Sequence, residues 1–150
     1  MRFILSLFII IQTVQVFAQD SIPSKENDLK IIKNFINDLA NQEIRTDVIL
    51  SQHILVNNSS GELYDYLEVS LQEIRINLLS KNLEDILYRS YNQMPPKEVR
   101  DIDLENIDSK RVYFLYYKNR QVCAVYLVND KIASFTLVSK GNNKAHFVLY

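Results

Sequence analysis

RVYFLYYKNRQVCAVYLVNDKIASFTLVSKGNNKAHFVLY, residues 111–150, decides the fold class. It falls into four runs, 111–118, 121–128, 131–139 and 144–150, rich in the β-branched and aromatic residues that suit a pleated strand. Between them stand Asn119-Arg120, Asn129-Asp130 and Gly141-Asn142-Asn143, built around residue types that tolerate the left-handed backbone of a tight turn. Strands joined by turns this short predict an antiparallel meander. Run 121–128 is apolar on both faces, with Val122, Ala124 and Tyr126 on one and Cys123, Val125 and Leu127 on the other. Such a run predicts a central strand covered from both sides. Just upstream, ILYRSY (86–91) predicts a fifth strand, Pro95-Pro96 ends it, and 97–110 is a polar connection.

What precedes the strands is helical. From Ser24 to Gln42, Leu29, Ile32, Phe35, Ile36 and Leu39 recur at helical spacing, with Glu26 and Asp28 in a first turn where the helix dipole favours acids. Over about 60–80, Leu63, Leu67, Leu71, Ile74 and Leu78 trace one apolar stripe. Ser59 and Glu62 have capping-box spacing at its start, and Lys81 lies at its negative end. DVILSQHILV (47–56) stays open between short helix and strand, because periodicity alone cannot type so short an apolar run. Helices first and about five strands afterwards predict an α+β fold, N-terminal helices packed on a curved, mostly antiparallel sheet.

The first residues carry an address. Arg2 precedes an apolar run from Phe3 to Ile11, and Val16-Phe17-Ala18 suits a signal peptidase, so cleavage after Ala18 is expected to leave Gln19 as the new start. A membrane anchor would need about 20 apolar residues, and Gln12, Thr13 and Gln15 interrupt this run too early. The expectation is an exported protein, periplasmic or extracellular, with no span left after cleavage: residues 1–18 a signal peptide, 19–150 one domain. Neither a lipid-bearing cysteine nor a twin arginine accompanies the site. Removing residues 1–18 takes away Arg2 and no acid, so the formal charge moves from −1 to −2. That balance shows no basic excess of the kind nucleic-acid recognition needs. Cys123 is the single cysteine, which rules out an intramolecular disulfide, a CxxC redox centre or a cysteine-rich zinc site.

An N-terminal helical segment, the long Leu63–Leu78 helix and a C-terminal meander (VYFLYYK, VCAVYLV, IASFTLV, AHFVLY) resemble the nuclear transport factor 2-like, or cystatin-like, superfamily in element order over about 28–150. The resemblance implies a sheet wrapped round a long helix, a cone-shaped pocket and frequent dimers. It does not choose among enzymes, ligand binders and interaction modules. It does not extend to cystatin inhibitors. Their Gln-x-Val-x-Gly hairpin would fall at Gln121–Val125, where Cys123 replaces the Val and Val125 the Gly.

Residues able to carry chemistry are few. His146 would share a strand face with Val148 and Tyr150, and a His–Tyr pair can move protons near neutrality, but nothing local supplies a nucleophile or an orienting carboxylate. His53 has no His or Cys three or four residues away to share a metal. Asp101, Asp103, Glu105 and Asp108 begin like a calcium loop. Asn106 then stands where the turn wants Gly, and Val112 where the last Glu belongs, so a solvated loop is expected. Cys123 is flanked by apolar residues, which predicts a buried thiol. Asn57 and Asn58 begin Asn-x-Ser sequons, which matter only in a eukaryotic secretory pathway.

No catalytic residue, metal site or cofactor is therefore assigned. The function expected is a non-enzymatic exported domain that binds a partner protein or a small apolar ligand; the alternative is a small enzyme with its site in the concave face of the sheet. Tyr113, Tyr117, Tyr126 and His146 are the candidate pocket or interface residues. Runs 111–118 and 121–128 are apolar on both faces, and the helices can cover only one. The other is expected to seat a second copy or a protein partner on tyrosine anchors.

Overall fold

Three helices open the part of the chain, residues 25–150, that the computed structural model describes: α1 (Lys25–Ala40), α2 (Thr46–His53) and α3 (Gly61–Leu78). The signal-peptide reading of residues 1–18 lies outside the described residues. Seven strands follow: β1 (Leu87–Ser90), β2 (Ile102–Asp103), β3 (Val112–Tyr117), β4 (Arg120–Val128), β5 (Lys131–Ser134), β6 (Leu137–Gly141) and β7 (Lys144–Phe147), with a short helix α4 (Pro96–Val99) between the first two. The fold is α+β, as expected. No helix among the described residues is long and apolar enough to cross a membrane.

The open segment 47–56 resolves into α2 and a bridge. Once α2 ends, Ile54 pairs with Ile132 and the Leu55 N–H donates to the Ile132 carbonyl at 2.8 Å, so this run supplies both a helix and an edge contact. The cap of α3 falls one residue later than the Ser59–Glu62 spacing predicts. Ser60 is the N-cap, its hydroxyl accepting from the Leu63 N–H at 3.1 Å.

The strands form two sheets where one of about five strands was expected. β1-β3-β4-β5 is antiparallel throughout; β2-β7-β6 is a smaller sheet in which β2 runs parallel to β7. The division comes from run 131–139, which is not one strand. Ser134 is buried, and its hydroxyl donates to the Thr136 carbonyl and accepts from the Thr136 N–H; the Phe135 N–H turns to the Tyr150 hydroxyl at 3.1 Å. The Ser134 and Tyr150 hydroxyls thus take the N–H groups of residues 135–136, the Thr136 carbonyl accepts from the Val148 N–H at 3.1 Å, and the chain leaves one sheet for the other.

One face of the large sheet carries Tyr113, Leu115, Cys123, Val125, Leu127 and Ile132, packed under Ile32, Phe35, Ile36 and Leu39 of α1 and Leu67, Leu71 and Leu78 of α3. Arg75 of α3 is buried with them. It donates to the Leu39 carbonyl at 2.8 Å, in the last turn of α1 where the helix leaves acceptors open, and to the Ile44 carbonyl at 2.6 Å in the connection to α2.

The second face carries Val112, Phe114 and Ala124, covered by Met94, Val99 and Phe147 with Ile102, Leu104, Ile107 and Leu137 around them. The polar connection expected at 97–110 is thus a cover. Its apolar residues, two or three apart among charges, turn inward as α4 and β2 form. The apolar face reserved for a second copy or partner is closed by the chain's own residues.

Candidate functional site

The four candidate residues do not converge. Tyr113 is buried on the helix-facing side, so it presents nothing to a partner, and its hydroxyl donates to Asp28 Oδ2 at 2.9 Å. Tyr126, half-buried, packs with the second-face cluster. His146 lies on β7 in the small sheet. Tyr117, at the end of β3, borders a cleft.

Asp28, Arg111 and Tyr113 form a buried polar knot that periodicity does not reveal. Arg111 Nη1 stands 3.3 Å from Asp28 Oδ1, and its Nη2 donates to the Asn129 carbonyl. Asp28 Oδ1 accepts no well-formed hydrogen bond and Arg111 Nε donates none, so the pair is imperfectly matched. Burial raises the Asp28 carboxyl above its ordinary value, against the pull of the Tyr113 hydrogen bond and Arg111. The Tyr113 phenol is raised in turn, chiefly by burial and then by the Asp28 bond. The knot fastens the first turn of α1 to β3 and exposes no reactive group.

His146 does gain the carboxylate that its own strand lacks. Glu105, distant in sequence, places Oε1 3.7 Å from His146 Nδ1, but Lys140 also binds Glu105 and reaches Asp103 Oδ2 at 3.3 Å. The Glu105 backbone N–H and Lys140 lower the pKa of Asp103. The calcium-like stretch is accordingly engaged by a lysine, and among the described residues no three His, Cys, Asp or Glu side chains gather to hold a metal. His53 closes on Asp38 at 2.7 Å, with its ring beside Phe35, and ties the end of α2 to α1. Cys123 is buried, which pushes its thiol up to about 12.

The cleft beside Tyr117 is different in kind. It opens between the end of α3 and the β3–β4 hairpin, has a volume of about 450 Å³, and is lined by Asn77, Lys81, Tyr117, Lys118, Arg120, Gln121 and Val122. Three cations line it and no acid does. Lys81 Nζ is positioned by the Asn77 carbonyl at 2.6 Å and stands 5.6 Å from the Tyr117 ring centroid; Lys118 Nζ lies 5.3 Å from the same centroid. The hairpin turns on Lys118 and Asn119, at φ 45° and 65°, one residue earlier than the sequence reading placed it. Two positive φ values are the signature of a turn matched to the sheet's twist, and Asn or Gly usually occupies both positions. A lysine in the first accepts backbone strain in a place where its ammonium meets the ring.

Two other clefts lack this character. One of about 660 Å³ runs along α1, where Glu26 offsets Lys30 and Lys33. Another, of about 330 Å³, mixes Arg45 and Arg75 with Asp47 and Glu68, and Arg45 is already paired to Asp47 at 2.8 Å. Sequence reasoning singled out Tyr117 and missed its cations. Lys81 and the Lys118–Arg120 turn announce themselves only as a helix end and a hairpin, and nothing local says that they meet. The chain matches no protein-family model, no curated protein and no solved structure.

Proposed function

We propose that the protein is exported, is processed to begin near Gln19, and acts as a non-enzymatic binding domain whose ligand seat is the Tyr117 cleft. The observation that carries the reading is the convergence of an aromatic ring and three cations on one open cleft. The groups that catalysis would draw on are committed elsewhere: His146 lies by a Glu105 that Lys140 also binds, His53 bonds Asp38, and Cys123 is buried. The seat is polar and cationic, so the ligand class moves from the small apolar molecule expected from sequence toward a charged one. Export is supported by Arg2, the Phe3–Ile11 run and Ala18.

Two measurements test this. N-terminal sequencing of protein recovered outside the cytoplasm should begin near Gln19, and an intact Met1 on a cytoplasmic form would end the export reading. Amide NMR spectra of the purified protein, recorded with mixtures of neutral, cationic and anionic small molecules, should show shifts clustered at Tyr117–Val122. Shifts centred on His146 and Glu105 instead, accompanied by turnover of a ligand, would replace binding with catalysis.

A further inference from the structure

We infer that the Tyr117 cleft binds a phosphate monoester group; the inference rests on the binding reading above and names the chemistry of its ligand. Lys81, Lys118 and Arg120 have no carboxylate within ion-pair reach among the described residues; Lys30 and Lys33 lack one as well, but Glu26 lines their cleft, whereas no acid lines this one. Three cations gathered without a counter-charge repel one another, and the chain as a whole is not basic, so their meeting is not a by-product of composition. A ligand that relieves this repulsion brings more than one negative charge. A phosphate monoester carries about −1.5 to −2 near neutrality and three acceptor oxygens, where a carboxylate brings one charge and two.

The donors suit that shape. Arg120 offers a planar fork, Lys81 and Lys118 act as point charges, and the amide side chains of Asn77 and Gln121 also line the cleft. Lys118 and Arg120 are exposed, Lys118 with its ammonium over the Tyr117 ring, while Lys81 is held in place by Asn77. Tyr117 supplies a half-buried wall for whatever carries the phosphate. The strained position of Lys118 agrees with a selected role, since Asn or Gly would make the same turn at lower cost.

The test follows the Tyr117–Val122 amides of the purified protein during titration with inorganic phosphate, with glycerol phosphate, and with vesicles of phosphatidic acid in phosphatidylcholine, phosphatidylcholine alone being the blank. Either soluble phosphate should move these amides, with affinity falling as salt rises. Lys118→Gln with Arg120→Gln should weaken binding by about tenfold or more, as the loss of charge-assisted bonds does. Lys30→Gln with Lys33→Gln, which removes the same charge from α1, should leave it unchanged. Response to the phosphatidic acid vesicles alone places the phosphate on a lipid headgroup and upholds the assignment. Equal weakening in the α1 variant would show net charge at work and overturn the site. If no phosphate source moves the amides while a neutral or carboxylate ligand does, the phosphate inference falls and the binding reading stands; if nothing moves them, both fall.

Discussion

Leu71 and Phe114 are both at most 1 % exposed, yet different kinds of chain bury them. Leu71 lies beneath α3, on a stripe that repeats with the helix and meets the sheet along several turns. Phe114 points the other way and is closed over by an irregular stretch, 91–111, together with the small β2-β7-β6 sheet. The helix-side cluster is the larger, and its helix residues Ile32, Phe35, Ile36, Leu39, Leu67 and Leu71 are fully buried. The second is smaller, and the cover residues Met94 and Val99 at its margin are 7 % exposed. Periodic chain makes a deep core, whereas a cover made of single inward residues seals a face without adding much depth. Charge divides in the same way: the buried Asp28–Arg111 pair belongs to the helix side, while the Asp103–Lys140 pair on the small sheet meets solvent.

The comparison is tested hardest at the buried pair. Asp28→Ala strands Arg111 in the interior and is expected to cost about 3–5 kcal/mol in denaturant unfolding, as removal of one partner of a buried pair does. Asp28→Leu combined with Arg111→Met should recover most of that loss, because apolar groups of similar volume need no counter-charge. A single variant as stable as the parent would show the knot to be ornamental.

Leu71→Ala and Met94→Ala compare the two covers directly. The first should cost about 2–5 kcal/mol and the second should fall at the lower end of that range, about 2 kcal/mol, since a rim residue leaves a cavity that solvent and neighbours can fill. A Leu71 loss under about 0.5 kcal/mol, the size of an ordinary surface change, would mean that the stripe is misread. Equal losses would erase the distinction between the two faces.

The start of α3 gives a smaller and sharper contrast. Ser60→Ala should remove a cap and cost about 1 kcal/mol, and Ser59→Ala should cost little. The reverse order would restore the cap position that spacing alone predicts.

The smallest effect is a pH dependence of opposite sign on the two sides. Burial raises the Asp28 carboxyl above its ordinary 3.8, so its contribution to stability is present below that pH and is lost as pH rises through the higher folded value. The lowered pKa of Asp103 gives a contribution present above 3.8 and lost as pH falls through the lower folded value. Carbon NMR titration of the two carboxyls should bracket 3.8 from opposite sides; a shared midpoint would remove the asymmetry.

Much of this was legible residue by residue. Leu67, Leu71 and Leu78 declare the buried side of α3 because a helix brings every third or fourth residue to one face, whatever surrounds it. The turns at Asn119, Asn129 and Asn142-Asn143 are legible for a similarly local reason, since few residues tolerate a positive φ. The α+β class follows from their order along the chain. What sequence could not decide is whatever depends on residues far apart meeting: the split of run 131–139 between two sheets, the cover that Val99, Ile102, Leu104 and Ile107 lay over the second face, the burial of Asp28 against Arg111, and the gathering of Lys81 with Lys118 and Arg120 round Tyr117. Local pattern records which side of an element is apolar, because backbone geometry repeats at fixed intervals. It does not record which element arrives to cover that side, nor which charges are carried there with it, because that choice is made by packing the whole chain at once.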